Sequence, residues 1–299
     1  MLPKDTVEYR LPALIVRVRS AHSQLFDYLD SFHDRVTREG DGAEHMTVSL
    51  NVELGTAAAT VEGAVVCDAG IDPPEFTFQE ARHRIRELWQ DHLTATRTAF
   101  NLHAAAVDDG ETVTVFVGER YRGKTTLLLD NLAMLPCDHL TNDNLVVYES
   151  DEGPQLTSVA TYLKVRTAPA IRFATMLASR AAASRHGTAM WRRYLRDPSA
   201  FPFHTEAMLP PAGFGRWCQP IVPLADRRLV LVQPEFTQGL PSVSCVHDKS
   251  SLVGENLKWL AEPSGGGRDL ITAFAARAEV VRLRHKGSIA PLLLDQVTT

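Results

Sequence analysis

The run "VGERYRGKTT", residues 117–126, has the residue types of a phosphate cradle: Gly118, four residues, then Gly123, Lys124 and Thr125. In such a loop Gly118 and Gly123 permit the backbone turn. Lys124 sets a point charge near the β- and γ-phosphates, and the Thr125 hydroxyl ligates magnesium. Thr126 would assist at the α-phosphate. Between the glycines stand Glu119, Arg120, Tyr121 and Arg122, bulky and charged where these loops are usually small. The loop binds mainly through backbone N–H groups, which any residue but proline supplies, so the nucleotide-binding stretch is taken as Gly118 through Thr126. Arg120 and Arg122 have two readings, extra phosphate contacts or a solvated rim.

A phosphotransfer site also needs a carboxylate near the metal. "LTNDNLVVY" supplies Asp143, eighteen residues beyond Thr125. One strand–helix–strand unit can bring it beside the loop, where it would hold magnesium directly or through water, or take the acceptor's proton. The plainer reading is a turn aspartate in "TNDN". His103 in "LHAAAV" would orient or assist Asp143; the plainer reading is a core histidine satisfied by hydrogen bonds. Lys164, Arg166 and Arg172 in "TYLKVRTAPAIRF" suit a γ-phosphate or an anionic acceptor, and suit a charged strand edge equally well. Residues 174–217 carry Arg180, Arg185, Arg192, Arg193 and Arg196. They read as a lid or acceptor-binding insertion, or as a solvated amphipathic helix.

These groups need elements to hold them. "TVTVFV" is a strand and the helix after the loop runs from about Gly123 through Leu135, so the loop has the strand–turn–helix setting that a phosphate cradle requires. The bare pattern arises by chance in roughly one chain in a hundred of this length, and those flanks lower that further. "LHAAAV" reads as a buried strand, and "LTNDNLVVY", "TYLKVRT" and "RRLVLVQPEF" bring further strands. "SLVGENLKWLAE" and "RDLITAFAARAEVVRLRHKG" read as helical, the second ending in a strand at "VVRLRH". Upstream, "ALIVRVRS", "HMTVSLNVEL" and "AATVEGAVVCD" read as strands, with a helix in "SQLFDYLDSFHDRVTR". The break "GIDPPEF" divides a β-rich unit, 1–75, from the rest, 76–299. In "FTFQEARHRIRELWQDHLTATRTA" the apolar face is Ala81, Ile85, Leu88, Trp89 and His92, and Arg82, Arg84 and Arg86 fall on a solvated face.

Composition bounds the rest. The 299 residues are 44% hydrophobic and 22% charged, enough for a sizeable core without staples. A net charge of -5 argues against a nucleic-acid partner. The four cysteines form no CxxC pair, which argues against zinc and for reduced thiols in the cytoplasm. No run of eighteen apolar residues predicts a membrane span, and the N-terminus does not read as a signal peptide.

The ordered set "LHAAAV…TVFVGERYRGKTT…LTNDNLVVY" resembles the C-terminal catalytic domain of the HPr kinase/phosphorylase family, whose fold is related to phosphoenolpyruvate carboxykinase. The resemblance is close over residues 100–150 and looser through "LKVR", "RRLVLVQPEF" and "ITAFAARAEVVRLRH"; residues 1–75 take no part in it. It implies an α/β fold with a mostly β core sheet flanked by helices; the small β-rich N-terminal unit that precedes it is read from the strand pattern of residues 1–75. Gly118, Gly123, Lys124 and Thr125 match the family's loop, and His103 matches its histidine. The usual acidic pair becomes Asp143-Asn144. The implied activity is an ATP-dependent kinase using Mg2+, transferring the γ-phosphoryl group to a hydroxyl of a small metabolite, peptide or carrier protein, as relatives in biosynthetic pathways do. Lys124, Thr125 and the arginines would stabilise the phosphoryl group and Asp143 would receive the proton. Related kinases often assemble, which makes a homo-oligomer the expectation. Asn144 and the bulky loop sustain an alternative, a non-catalytic nucleotide-binding regulatory or interaction protein. A hydrolase using water is a third reading, without a sequence feature of its own.

Overall fold

A computed structural model describes residues 5–20, 23–36, 46–54, 64–67, 74–159, 161–181, 206–215, 218–263 and 265–286. It is mixed α/β, with several sheets and helices between them. Among the described residues no helix is long and apolar enough to cross a membrane.

The N-terminal elements are β1 (Asp5–Leu11), β2 (Leu14–Ser20), helix α1 (Ser23–Leu29), β3 (Asp34–Arg35), β4 (Met46–Leu54) and β5 (Ala64–Cys67). They make a five-stranded sheet in the order β3-β1-β2-β4-β5. In β2, Leu14, Val16 and Val18 alternate into the core, as a sheet with one covered face requires. Helix α2 (Pro74–Thr96) lies against this sheet, with Phe78, Ala81, Ile85, Trp89 and Leu93 buried along one stripe. The Trp89 indole N–H donates to the Pro12 carbonyl at 3.0 Å. The core here also takes in Ala99, Val146 and Tyr148, so it runs across residue 75 without interruption. Two expectations change. The helix predicted within residues 23–38 stops at Leu29. Arg82 is buried, its guanidinium over the rings of Phe32 and Tyr162 at 4.8 and 5.1 Å, because flat aromatic faces there replace its hydration.

The second half has two further large sheets. In chain order come β6 (Ala99–Leu102), β7 (Ala104–Asp108), β8 (Thr112–Val117), helix α3 (Lys124–Met134), β9 (Asp138–Thr141), β10 (Leu145–Ser150), β11 (Gly153–Ser158), β12 (Leu163–Arg166), and helices α4 (Thr167–Arg172) and α5 (Ala174–Ala181). Then follow β13 (Glu206–Leu209), β14 (Val222–Pro223), β15 (Arg228–Phe236), β16 (Ser242–Cys245), α6 (Lys249–Glu255), β17 (Leu257–Ala261), α7 (Gly267–Arg277) and β18 (Ala278–His285). The central sheet has the order β16-β18-β15-β8-β7-β9, with β8, β15 and β18 parallel in its middle. An antiparallel sheet, β14-β11-β10-β6-β17, packs over one face, and α3 covers the other. Val113, Val115 and Val117 of β8 face the second sheet while Phe116 faces α3. Coverage on both faces is why these strands read as near-continuous apolar runs.

The chain crosses between the two sheets at a seam. "LHAAAV" is two strands rather than one: β6 ends at Leu102 in the outer sheet, and β7 begins at Ala104 in the central one. His103 is the crossing residue. "LTNDNLVVY" crosses back, from β9 to β10, through Asn142, Asp143 and Asn144. "SLVGENLKWLAE" is a helix only to Glu255; Leu257–Ala261 is a strand paired with β6. Leu257, Trp259 and Ala261 alternate with the more exposed Lys258 and Leu260, and pairing to a sheet edge is what that period-two pattern satisfies.

Candidate functional site

The loop leaves the C-terminal end of β8 in the middle of the central sheet. Gly118 and Gly123 have φ of 141° and 95°, backbone that glycine favours. Gly123 is needed for a second reason: a Cβ there would sit 2.6 Å from Cε1 of His285. His285 is fully buried, and its Nε2–H donates to the Arg122 carbonyl at 2.9 Å. On the other side, Asn256 accepts from the Gly118 N–H through Oδ1 at 2.9 Å, while its carbonyl accepts from the His103 N–H at 2.8 Å. The loop is thus held at both ends by residues from the C-terminal third of the chain.

Lys124 opens α3 and is buried. Its ammonium donates to the carbonyls of Gly118 at 2.6 Å and Glu119 at 2.9 Å. Burial pushes it down to about 8, against the opposing pull of the Asp143 charge. The Thr125 hydroxyl lies 3.4 Å from the Asn142 amide oxygen. His103 donates through Nε2 to Asp143 Oδ1 at 2.9 Å, and Lys258 reaches Asp143 Oδ2 at 3.2 Å. Burial alone would raise Asp143, but the His103 hydrogen bond and the Lys258 charge outweigh it and hold the carboxyl well below the usual carboxylate range. Lys258 also donates to the Asn144 side-chain oxygen at 2.7 Å, so the amide at 144 still serves as an acceptor.

The cleft beside the loop has a volume of ≈ 700 Å³ and brings together His103, Arg120, Tyr121, Lys124, Thr125, Thr126, Asn142, Asp143, Lys164, Arg166 and Arg172. His103, Lys124, Asp143, Lys164, Arg166 and Arg172, the side chains singled out from sequence for catalysis or acceptor contact, thus lie on one surface, whereas Arg180 of the expected acceptor-binding insertion lines a different cleft. Their states differ. Arg166 lies over the Tyr121 ring, 4.2 Å from its centroid. Arg172 bonds the buried Asp130 of α3, a structural pairing. Arg122 pairs with Glu119 at 3.0 Å and turns toward a second cleft of ≈ 660 Å³, which shares His103 and also touches Glu235, Lys258 and Arg282. Arg185, Arg192, Arg193 and Arg196 lie outside the described residues.

Four residues that the sequence reading did not select, Asn142, Asn256, Lys258 and His285, hold the site together. Asn142 stood in the "TNDN" turn beside a chosen residue. The others carried no local signal. Thr125, Asn142 and Asp143 offer hard oxygen donors, which suit Mg2+ better than a soft metal. Among the described residues no three His, Cys, Asp or Glu side chains gather as a metal nest, so a magnesium ion here would take most of its oxygens from phosphates and water. Chemically the cleft can neutralise a phosphate chain with Lys124, the N-terminus of α3 and Arg120, and can accept or orient a proton at the His103–Asp143 pair.

Comparison with known proteins finds no family model that matches the chain and no matching curated protein.

Proposed function

We propose that the protein is an HPr kinase-like, ATP-dependent phosphotransferase that moves a γ-phosphoryl group to a hydroxyl acceptor. The observation that supports this most is the convergence of Lys124 and Thr125 with the His103–Asp143 pair on one cleft, from opposite sides of a sheet seam. Lys124 exchanges its two loop carbonyls for phosphate oxygens. The backbone N–H groups from Gly123 onward point the positive end of α3 at the same charge. Magnesium, bound with the nucleotide, would spread the charge of the β- and γ-phosphates, with Thr125 and Asp143 as its protein ligands. His103 and Asp143 take the acceptor's proton as a unit. Asp143, held ionised, keeps the Nε2–H of His103 turned toward itself, and in the neutral ring this leaves Nδ1 as the basic nitrogen. The acceptor is a small metabolite, a peptide or a carrier protein, and the setting is cytoplasmic, where nucleoside triphosphates are supplied.

The test is isothermal titration of Mg-ATP into the wild type and Lys124→Ala, followed by transfer assays over hydroxyl acceptors. Binding lost in the variant, and transfer lost in Asp143→Asn, are expected. A folded wild type that binds no nucleotide rejects the proposal. A second reading, nucleotide binding without transfer, draws on the engagement of both Asp143 oxygens by His103 and Lys258. It expects ATP binding with no turnover on any acceptor.

A further inference from the structure

Two exposed aromatic rings stand on the same cleft as Lys124 and Thr125: Tyr121, 71% exposed, and Phe236, 52% exposed. Tyr121 is in the left-handed backbone region, φ 68°, where a bulky residue is strained. Its ring packs into no core, so the fold gains little from holding it there. The ring does carry a guanidinium, Arg166, 4.2 Å from its centroid. Phe236 leans on His285 with ring centroids 5.0 Å apart, and His285 is the residue that holds the loop at Arg122. Both rings are therefore coupled to the loop that would hold the phosphates.

We infer, resting on the nucleotide reading above, that Tyr121, backed by Arg166, is the stacking platform for the nucleobase of the triphosphate. Every base has a π-face, and stacking on an aromatic ring or a guanidinium plane needs no particular pattern of donors and acceptors. Pro169 and Phe236 share the cleft and are apolar, while its amide and carboxylate, Asn142 and Asp143, are engaged at the phosphate end by Thr125, His103 and Lys258. The site is accordingly tolerant of the base: ATP and GTP bind alike, and the affinity beyond that of the bare phosphate chain comes from stacking. The unusual bulk of this loop thus has a use, since a glycine or serine at 121 would leave the base without a partner.

The experiment compares Mg-ATP, Mg-GTP and magnesium tripolyphosphate by titration calorimetry on the wild type, Tyr121→Ala and Tyr121→Phe. Alanine keeps the Cβ, so the backbone strain at 121 is unchanged. Expected are ATP and GTP affinities within about threefold of each other, and about tenfold weaker ATP binding by Tyr121→Ala. Tripolyphosphate affinity should be unaltered, and Tyr121→Phe should restore ATP binding. The inference is overturned if Tyr121→Ala leaves ATP affinity intact, if it weakens tripolyphosphate as much as ATP, or if ATP and GTP differ by a hundredfold. A wild type that binds neither ATP nor tripolyphosphate overturns the nucleotide reading itself, which sets that failure apart from the others.

Discussion

Strand β8 has a cleft at each end, of similar size and opposite character. At its C-terminal end lies the ≈ 700 Å³ cleft of the glycine loop; at its N-terminal end lies a ≈ 630 Å³ cleft around Asp108, Asp109, Asp138, His139, Arg180 and Arg227. Volume does not separate them, but the bonding of their charges does. Around the second cleft Asp108 is paired with Arg227 at 3.0 Å and Asp109 caps the β7–β8 turn through the N–H groups of Glu111 and Thr112. Arg180 donates to the carbonyls of Phe214 and Leu132. The bonds of Asp108 and Arg180 tie one element to another. In the loop cleft, Lys124 bonds only carbonyls of its own loop among the contacts described, at the mouth of a helix N-terminus. A ligand oxygen can replace those partners without undoing the fold. Asp143 and Arg172 on the same cleft do bond other elements, so Lys124 is the charge that sets this cleft apart.

The comparison breaks most sharply at Asp143. If the loop end is the chemical end, Asp143→Asn lowers phosphoryl transfer on the order of a thousandfold and weakens Mg-nucleotide binding far less, about tenfold for one lost magnesium ligand, measured by initial rates beside calorimetry. The next effect belongs to the other end. Burial pushes His139 down to about 4 from the ordinary 6.5, helped by the charge of Arg180, and His33 likewise sits at about 4 through burial. Above pH 6.5 both rings are neutral whether the chain is folded or not. Between 6.5 and about 4 the unfolded chain takes up protons that the folded chain refuses. Stability is therefore lost as pH falls through that window, by about 3 kcal/mol for each histidine. Urea midpoints at pH 7.5 and 4.5 measure it, and His139→Gln should flatten the pH dependence.

Lys124→Ala is expected to weaken Mg-ATP binding by at least about a hundredfold with the melting temperature retained. A parallel drop in melting temperature would make Lys124 a structural residue like those at the opposite end. The smallest effect is Arg227→Ala. It leaves Asp108 without its cation in a half-buried setting, between the surface and buried limits, at about 2 kcal/mol of stability. Mg-ATP binding should not change. Lost nucleotide affinity in this variant would mean the two clefts are coupled through β8 and would dissolve the contrast.

The glycine loop was legible in the sequence because its parts are contiguous: β8, Gly118, Gly123, Lys124 and α3 need only local backbone geometry to meet. Asp143 and His103 were legible as candidates from residue type and spacing, and their 2.9 Å contact came from the seam. The partners that hold them were not legible. Asn256 reaches Gly118 across 138 residues, Lys258 reaches Asp143 across 115, and His285 reaches Arg122 across 163. Nothing near those residues in the chain distinguishes them. "SLVGENLKWLAE" even carried a misleading signal: its apolar residues fit a helix, and only the open edge of β6 draws Leu257–Ala261 into a strand, setting Lys258 over Asp143.

By itself, then, the sequence determined the loop and most of the elements around it, since propensity, periodicity and a glycine turn act over a few residues. Tertiary structure alone decided that two sheets meet at His103, Asp143 and Asn256, and that Arg82 is buried. Those outcomes depend on which apolar faces pack together, and packing joins residues by shape and burial rather than by their distance along the chain.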